Sequence, residues 1–158
     1  MKLSTGKIAF PIEFDNGDKE TIYFNPTDPD LPIRFKAFQE NVMRRIKDID
    51  DMALSANGTP TDGKYIEMFE KARNIVCEEM DTAFASPVSA SIFKHCSPFA
   101  IVDGEYFILQ FLMAIRPEIE KHVKQANADV EKHIGKYALS RVKHAIKTAN
   151  DAIEEDCK

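Results

Sequence analysis

The sequence predicts a mainly α chain with a small N-terminal β-hairpin (α+β): a helical bundle that ends in a long C-terminal helix. Three observations predict it. Residues 7–14 alternate apolar and other residues with a period of two, ahead of an Asn16-Gly17 turn and a second extended run at 20–24. From residue 31 onward, apolar residues recur every three or four positions, as amphipathic helices require. Past residue 118 the spacing settles into an eleven-residue period that runs almost to the end.

In the hairpin, Ile8, Phe10, Ile12 and Phe14 share one face, and Pro11, with no N–H to give, restricts this run to an edge strand. A lone hairpin is marginal in water, so it must pack on helices. The link is the elbow Tyr23-Phe24-Asn25-Pro26-Thr27-Asp28-Pro29-Asp30-Leu31-Pro32. Its prolines hold the residues before them extended. Asp30 is placed to cap the following helix, with Pro32 in the first turn, where a missing N–H costs nothing.

The first helix is predicted over 31–52, with Phe35, Phe38, Val42, Ile46, Ile49 and Ala53 as its buried stripe. Asp48, Asp50 and Asp51 oppose the macrodipole near its end and predict fraying there. Residues 57–63 read as a loop from their Gly, Pro, Asn and Thr content. A second helix over 63–84 carries Ile66, Phe69, Ala72, Val76, Met80 and Ala83. A short third helix over 87–95 carries Val88, Ile92 and Phe93, and Asp103-Gly104 marks a turn. The fourth helix starts near Gly104 and carries Phe107, Ile108, Phe111, Leu112 and Ile115, until Pro117 kinks or breaks it. This divides the chain into a hairpin-plus-helix domain, 1–117, and a long C-terminal helix or arm, 118–158.

That helix has an apolar stripe of Ile119, Val123, Ala126, Val130, Ile134, Tyr137, Val142, Ala145, Ala149 and Ile153. The segments Glu120-Lys121-His122-Val123, Glu131-Lys132-His133-Ile134 and Val142-Lys143-His144-Ala145 repeat eleven residues apart, a hendecad of about 3.67 residues per turn. A continuous helix would be about 55 Å long. Its stripe exceeds what a small core covers, which predicts a homo-oligomer. Gly135 is its weak point, at about 1 kcal/mol relative to Ala.

At 158 residues the chain can bury a core without disulfide or metal staples. Eleven Phe and no Trp predict a core of Phe, Ile, Val and Met. A net charge of -5 argues against a nucleic-acid face. Cys77, Cys96 and Cys157 follow no metal spacing and read as free thiols in a reducing compartment. The opening residues lack the apolar run of a signal peptide, and 106–115 is too short to cross a bilayer, so no membrane is expected.

Little in the chain spells catalysis. His122, His133 and His144 share a helix face but lie about 16 Å apart along it, too far for one metal ion. His95-Cys96 are adjacent and do not face each other on a helix. Glu78, Glu79 and Asp81 read as a solvated acidic face, and no phosphate loop or hydrolase motif occurs. The chain is therefore read as a non-enzyme with no cofactor. The densest apolar concentration, Phe93, Phe99, Phe107, Phe111 and Met113 with Tyr106, is expected to be core or, as the partner-binding candidate, a groove for a helical client.

The elbow Tyr23-Phe24-Asn25-Pro26-Thr27-Asp28-Pro29 with Arg34-Phe35, the run Glu78-Glu79-Met80-Asp81-Thr82-Ala83-Phe84-Ala85-Ser86, and the later Ser91-Ile92-Phe93-Lys94 and Arg116-Pro117 occur in a fixed order. With Lys136-Tyr137, this order resembles tail assembly chaperones of long-tailed bacteriophages of the Gram-positive siphophage type, over residues 8–138. The resemblance marks Phe24, Asn25, Pro26, Asp28 and Arg34 as a structural elbow, and Asp81 and Phe84 as a structural turn. Two departures stand out: glycines expected after Phe84 and Phe93 are Ala85 and Lys94, so turns with positive φ are disfavoured at both. The resemblance implies non-enzymatic work in the host cytoplasm, holding the phage tape-measure protein soluble while the major tail-tube protein assembles around it, and absence from the mature virion. The alternatives are a structural tail or neck protein, and a bacterial adaptor that dimerises through its C-terminal helix.

Overall fold

Two antiparallel strands begin the chain: β1 (Ile8–Glu13) and β2 (Lys19–Phe24) pair in register from Ile8 opposite Phe24 to Glu13 opposite Lys19. The computed structural model describes residues 1–55 and 63–156, and the side chains among them except at 53–55, 137–142, 153 and 155–156. The expected loop at 57–62, the stripe side chains of Ala53, Tyr137, Val142 and Ile153, and Cys157 lie outside the described residues. The hairpin turn is closed by Phe14 N–H to the Asp18 carbonyl (2.9 Å) and by Asp18 N–H to Asn16 Oδ1 (3.0 Å), with Gly17 at φ 85°. Period-two alternation sends Phe10, Ile22 and Phe24 into the core. Ile8 remains exposed, and Ile12 and Phe14 are half-buried.

The helices follow the predicted stripes. In α1 (Leu31–Ser55), Leu31, Phe35, Phe38, Val42, Ile46 and Ile49 are buried; the helix continues past residue 52 despite its late acids. In α2 (Gly63–Phe84), Ala72, Val76, Met80, Ala83 and Phe84 are buried, whereas Ile66 near its start is exposed. The third helix is shorter than expected: α3 spans Ser89–Phe93, and Pro87 precedes it. β3 (Ile101–Val102) and β4 (Glu105–Tyr106) form a second small hairpin around Asp103 and Gly104, both with positive φ (51° and 82°). Positive φ at both central residues is the mark of a type I′ turn, which Asp-Gly favours.

Helix α4 runs continuously over Phe107–Asp156 with Pro117 inside it, so the proline does not end the helix. Its missing N–H leaves the Met113 carbonyl unmatched four residues back. Both residues are exposed, and water can take that acceptor. The chain divides into two compact units, Met1–Ile119 and Glu120–Lys158. The first holds the core, from Phe10 to Ile115. In the second, Val130, Ile134 and Ile146 are more than half exposed. No helix among the described residues is long and apolar enough to cross a membrane.

Candidate functional site

Two of the landmarks that the sequence orders along the chain, the elbow with Arg34 and the run at 78–86, meet in space at one junction. Arg34, on the first turn of α1, donates from Nε to the Ala83 carbonyl at 3.0 Å and from its guanidinium to Asp28 Oδ2 at 2.8 Å. Asp28 also accepts the Asp30 N–H at 2.9 Å, so it is Asp28 whose carboxylate orders the helix entry. Asp30 contributes its backbone carbonyl, which takes the Arg34 N–H at 3.0 Å. Arg34 and the Asp30 amide hold the Asp28 carboxyl below its ordinary value. Asn25 accepts Thr27 N–H and Oγ1–H, each at 2.9 Å, and donates to the Thr5 carbonyl at 3.2 Å; Pro26 is buried.

Helix α2 ends against this elbow in a Schellman motif. Ala85 N–H bonds the Thr82 carbonyl (3.2 Å), and Ser86 N–H bonds the Asp81 carbonyl (3.1 Å). Ala85 takes φ 49°, so the position where the resemblance expects glycine has the left-handed geometry without the glycine. Lys94 has φ -72° and needs none. The Asp81 carboxylate leaves α2 to accept Ser89 N–H (2.8 Å) and Ser89 Oγ–H (2.9 Å), which ties down the start of α3. Ser86 Oγ–H donates to the Tyr23 carbonyl, and Lys7 reaches the Ala85 carbonyl at 2.8 Å. Phe84 sits beneath, edge-on to Phe24 (4.8 Å between centroids), Phe35 (5.9 Å) and Phe111 (6.1 Å).

The predicted groove residues are distributed differently. Phe93, Phe99 and Phe111 are buried at 4 to 7 % exposure, and Phe93 and Phe99 pack in the core rather than in an exposed groove. They are the cross-element rings that hold α3 and α4 against the rest: Phe93 meets Phe107 and Phe99 meets Phe69 and Tyr106. Phe107 is half-buried, and Met113 is 66 % exposed.

Beside the first hairpin lies an open cleft of about 510 Å³. Ile12 and Phe14 come from β1 and its turn, Ile92 and His95 from α3 and its end, Val102 from β3, and Phe107, Phe111 and Ala114 from α4. The volume falls within the usual range of ligand pockets, about 300–1,000 Å³. His95 fixes one wall: its Nε2 lies 2.7 Å from Glu20 Oε1, its Nδ1 lies 3.3 Å from Asp18 Oδ2, and its ring packs on Phe14 at 4.4 Å. Lys94 Nζ meets the same Glu20 oxygen at 2.5 Å. Lys94, then His95, hold the Glu20 carboxyl below its ordinary value. Gln110 Nε2–H donates to the Val102 carbonyl and joins α4 to the second hairpin.

Cys96 lines the cleft, and burial, followed by the Asp15 charge, pushes its thiol up. Burial does the same to Cys77. A raised thiol is a poor nucleophile at neutral pH, so neither cysteine suits covalent chemistry. Among the described residues no cluster of three His, Cys, Asp or Glu could hold a metal ion. The cleft is suited to binding: apolar floor, polar rim, fixed walls.

Sequence reasoning found Phe107 and Phe111 but missed Ile12, Phe14, His95, Gln110 and Ala114 as their neighbours. No periodicity links residues 12–16 to 92–114; only the packing of the hairpin on α3 and α4 does. No protein-family model, no curated protein and no solved structure matches the chain.

Proposed function

We propose that this protein is a non-enzymatic assembly chaperone of the long-tailed phage type. It takes an apolar helical segment of the tape-measure protein into the cleft and keeps that protein soluble in the host cytoplasm. The major tail-tube protein then assembles around the client, and the chaperone is left out of the virion. The cleft carries the reading: Ile12, Phe14, Val102 and Phe107 offer apolar surface at an open site on a braced frame. Helix-in-groove binding uses such a surface, with the client's apolar side chains as anchors. The junction residues that carry the resemblance, Asp28, Arg34, Asp81 and Phe84, brace the frame.

The test is co-expression with the tape-measure protein. Ala114 is exposed at the cleft, so Ala114→Arg fills it at a cost within about 0.5 kcal/mol of stability. The expected result is loss of client solubilisation with an unchanged melting temperature. Full solubilisation by the variant, or stoichiometric presence of the protein in purified particles, would sink the reading. We further propose a homo-oligomer formed through the C-terminal stripe, supported by the exposure of Val130 and Ile134 on a hendecad repeat. Val130→Glu with Ile134→Glu should then lower the sedimentation coefficient of the full chain. An unchanged value would remove this stripe from any interface.

A further inference from the structure

The charges around the cleft are not evenly matched. His95 lines it, but both ring nitrogens face carboxylates, those of Asp18 and Glu20, and the neighbouring Lys94 is paired with Glu20. Glu13, also lining it, has Lys19 at 3.7 Å, an exposed pair. Two further carboxylates line the cleft: Asp15 in the first hairpin turn and Asp103 in the second. Both are exposed, and neither has an ion-pair partner among the described residues. An apolar floor is thus flanked, from two separate turns, by negative charge that no ion pair among the described residues neutralises.

We propose that the cleft selects, among apolar helices, those that carry Lys or Arg beside the apolar stripe, with Asp15 and Asp103 as the specificity-determining residues. This rests on the reading of the cleft as a helix-binding site and names the chemistry of its occupant. The floor takes the client's aliphatic side chains whatever their flanks. The carboxylates distinguish one client from another, as charge complementarity at an interface rim commonly does. Acidic flanks are repelled by the same two groups. The selection is electrostatic and exposed, so it weakens as salt rises.

The chain has no Trp, so Phe107→Trp places a single indole fluorophore at the cleft. The probes are three synthetic helices of about eighteen residues, five turns, with one Leu-Ala face and flanks of Lys, Gln or Glu. At low salt the Lys-flanked helix should bind about fivefold more tightly than the Gln-flanked one, the worth of two exposed pairs, and the Glu-flanked helix more weakly than either. The preference should vanish at about 0.5 M salt, where the Debye length is only a few ångströms. Asp15→Asn with Asp103→Asn should abolish it and leave the Gln-flanked affinity unchanged. Equal binding of the Lys and Gln helices, with a change in indole emission, overturns the charge selection and leaves the cleft as a helix site. Unchanged emission with every helix, or binding unaffected by Ala114→Arg, overturns both this inference and the helix-site reading. An emission change driven by protein concentration alone would mark a second copy of this chain as the occupant and overturn the selection as well.

Discussion

The junction and the cleft share α3 and α4 and treat their side chains in opposite ways. At the junction, the polar groups of Asp28, Arg34, Asp81, Ser86 and Ser89 are matched, over an aromatic cluster centred on Phe84. At the cleft, apolar side chains line open space, and Asp15 and Asp103 have no ion-pair partner among the described residues. The difference separates residues that hold the fold from residues left over for a partner. It predicts that substitutions at the junction reduce stability and that those at exposed cleft positions such as Ala114 and Asp15 reduce binding alone.

The largest test of that division is Phe84→Ala. A buried ring in contact with β2, α1 and α4 should cost about 3–5 kcal/mol in urea unfolding. Ala114→Arg at the cleft should leave the urea midpoint unchanged. Next comes Arg34→Met, which keeps the aliphatic stem but strands the Asp28 carboxylate and the Ala83 carbonyl at a part-buried site. The expected result is a lower urea midpoint by the same measurement. A cost below about 0.5 kcal/mol, typical of surface positions, would place the junction with the cleft as an exposed and expendable feature.

A gain of stability sharpens the comparison from the other side. Ala85 holds φ 49° at the α2 terminus, which costs a residue with a Cβ about 1–2 kcal/mol. Ala85→Gly should therefore raise stability by about 1 kcal/mol, read as a higher melting temperature. Lys94→Gly should give no gain, because Lys94 already has φ -72° and because its ammonium is lost to Glu20. The two positions look alike in sequence, since both stand where the resemblance expects glycine, and only the backbone angles tell them apart.

Much of the fold is legible in the sequence because periodicity reports one-sided burial directly. The stripes of α1 and α2 follow spacings of three and four, and the first hairpin follows a period of two and an Asn-Gly turn. The second hairpin is not legible: strands of two residues are too short to show a period, so Asp103-Gly104 reads as a bare turn. Pro117 reads as a kink or break, and of the two the break is excluded: its exposure lets α4 continue with one backbone bond missing. Asp50 reads as an acid that frays the end of α1; it is exposed, and it also accepts the Tyr106 hydroxyl at 2.6 Å and pushes that phenol up to about 12. The cleft is half legible. An aromatic concentration looks the same in sequence whether it is core or surface, and Phe93 and Phe99 are core. The partners that make an open site of Phe107 come from residues 12–16 and 92–96, the first of them far away along the chain.

The smallest effect expected is a pH dependence that also separates the two regions. Arg34 and the Asp30 amide hold the folded Asp28 carboxyl below its ordinary value of 3.8. A depressed carboxylate contributes stability that is fully present above the unfolded value and is lost as pH falls through the folded one. Urea midpoints measured from about pH 6 down to about pH 2 should therefore fall in the native chain. Asp28→Asn removes the titrating group, so its midpoint should start lower, for want of the Arg34 pair, and fall less steeply. Glu20 contributes in the same direction below its ordinary 4.5, through Lys94 and His95, so part of the slope persists until Glu20→Gln is added. Parallel curves for the native and Asp28→Asn chains would mean that the Arg34–Asp28 contact adds nothing in solution. The elbow would then be held by Phe24, Pro26 and Phe84 packing alone.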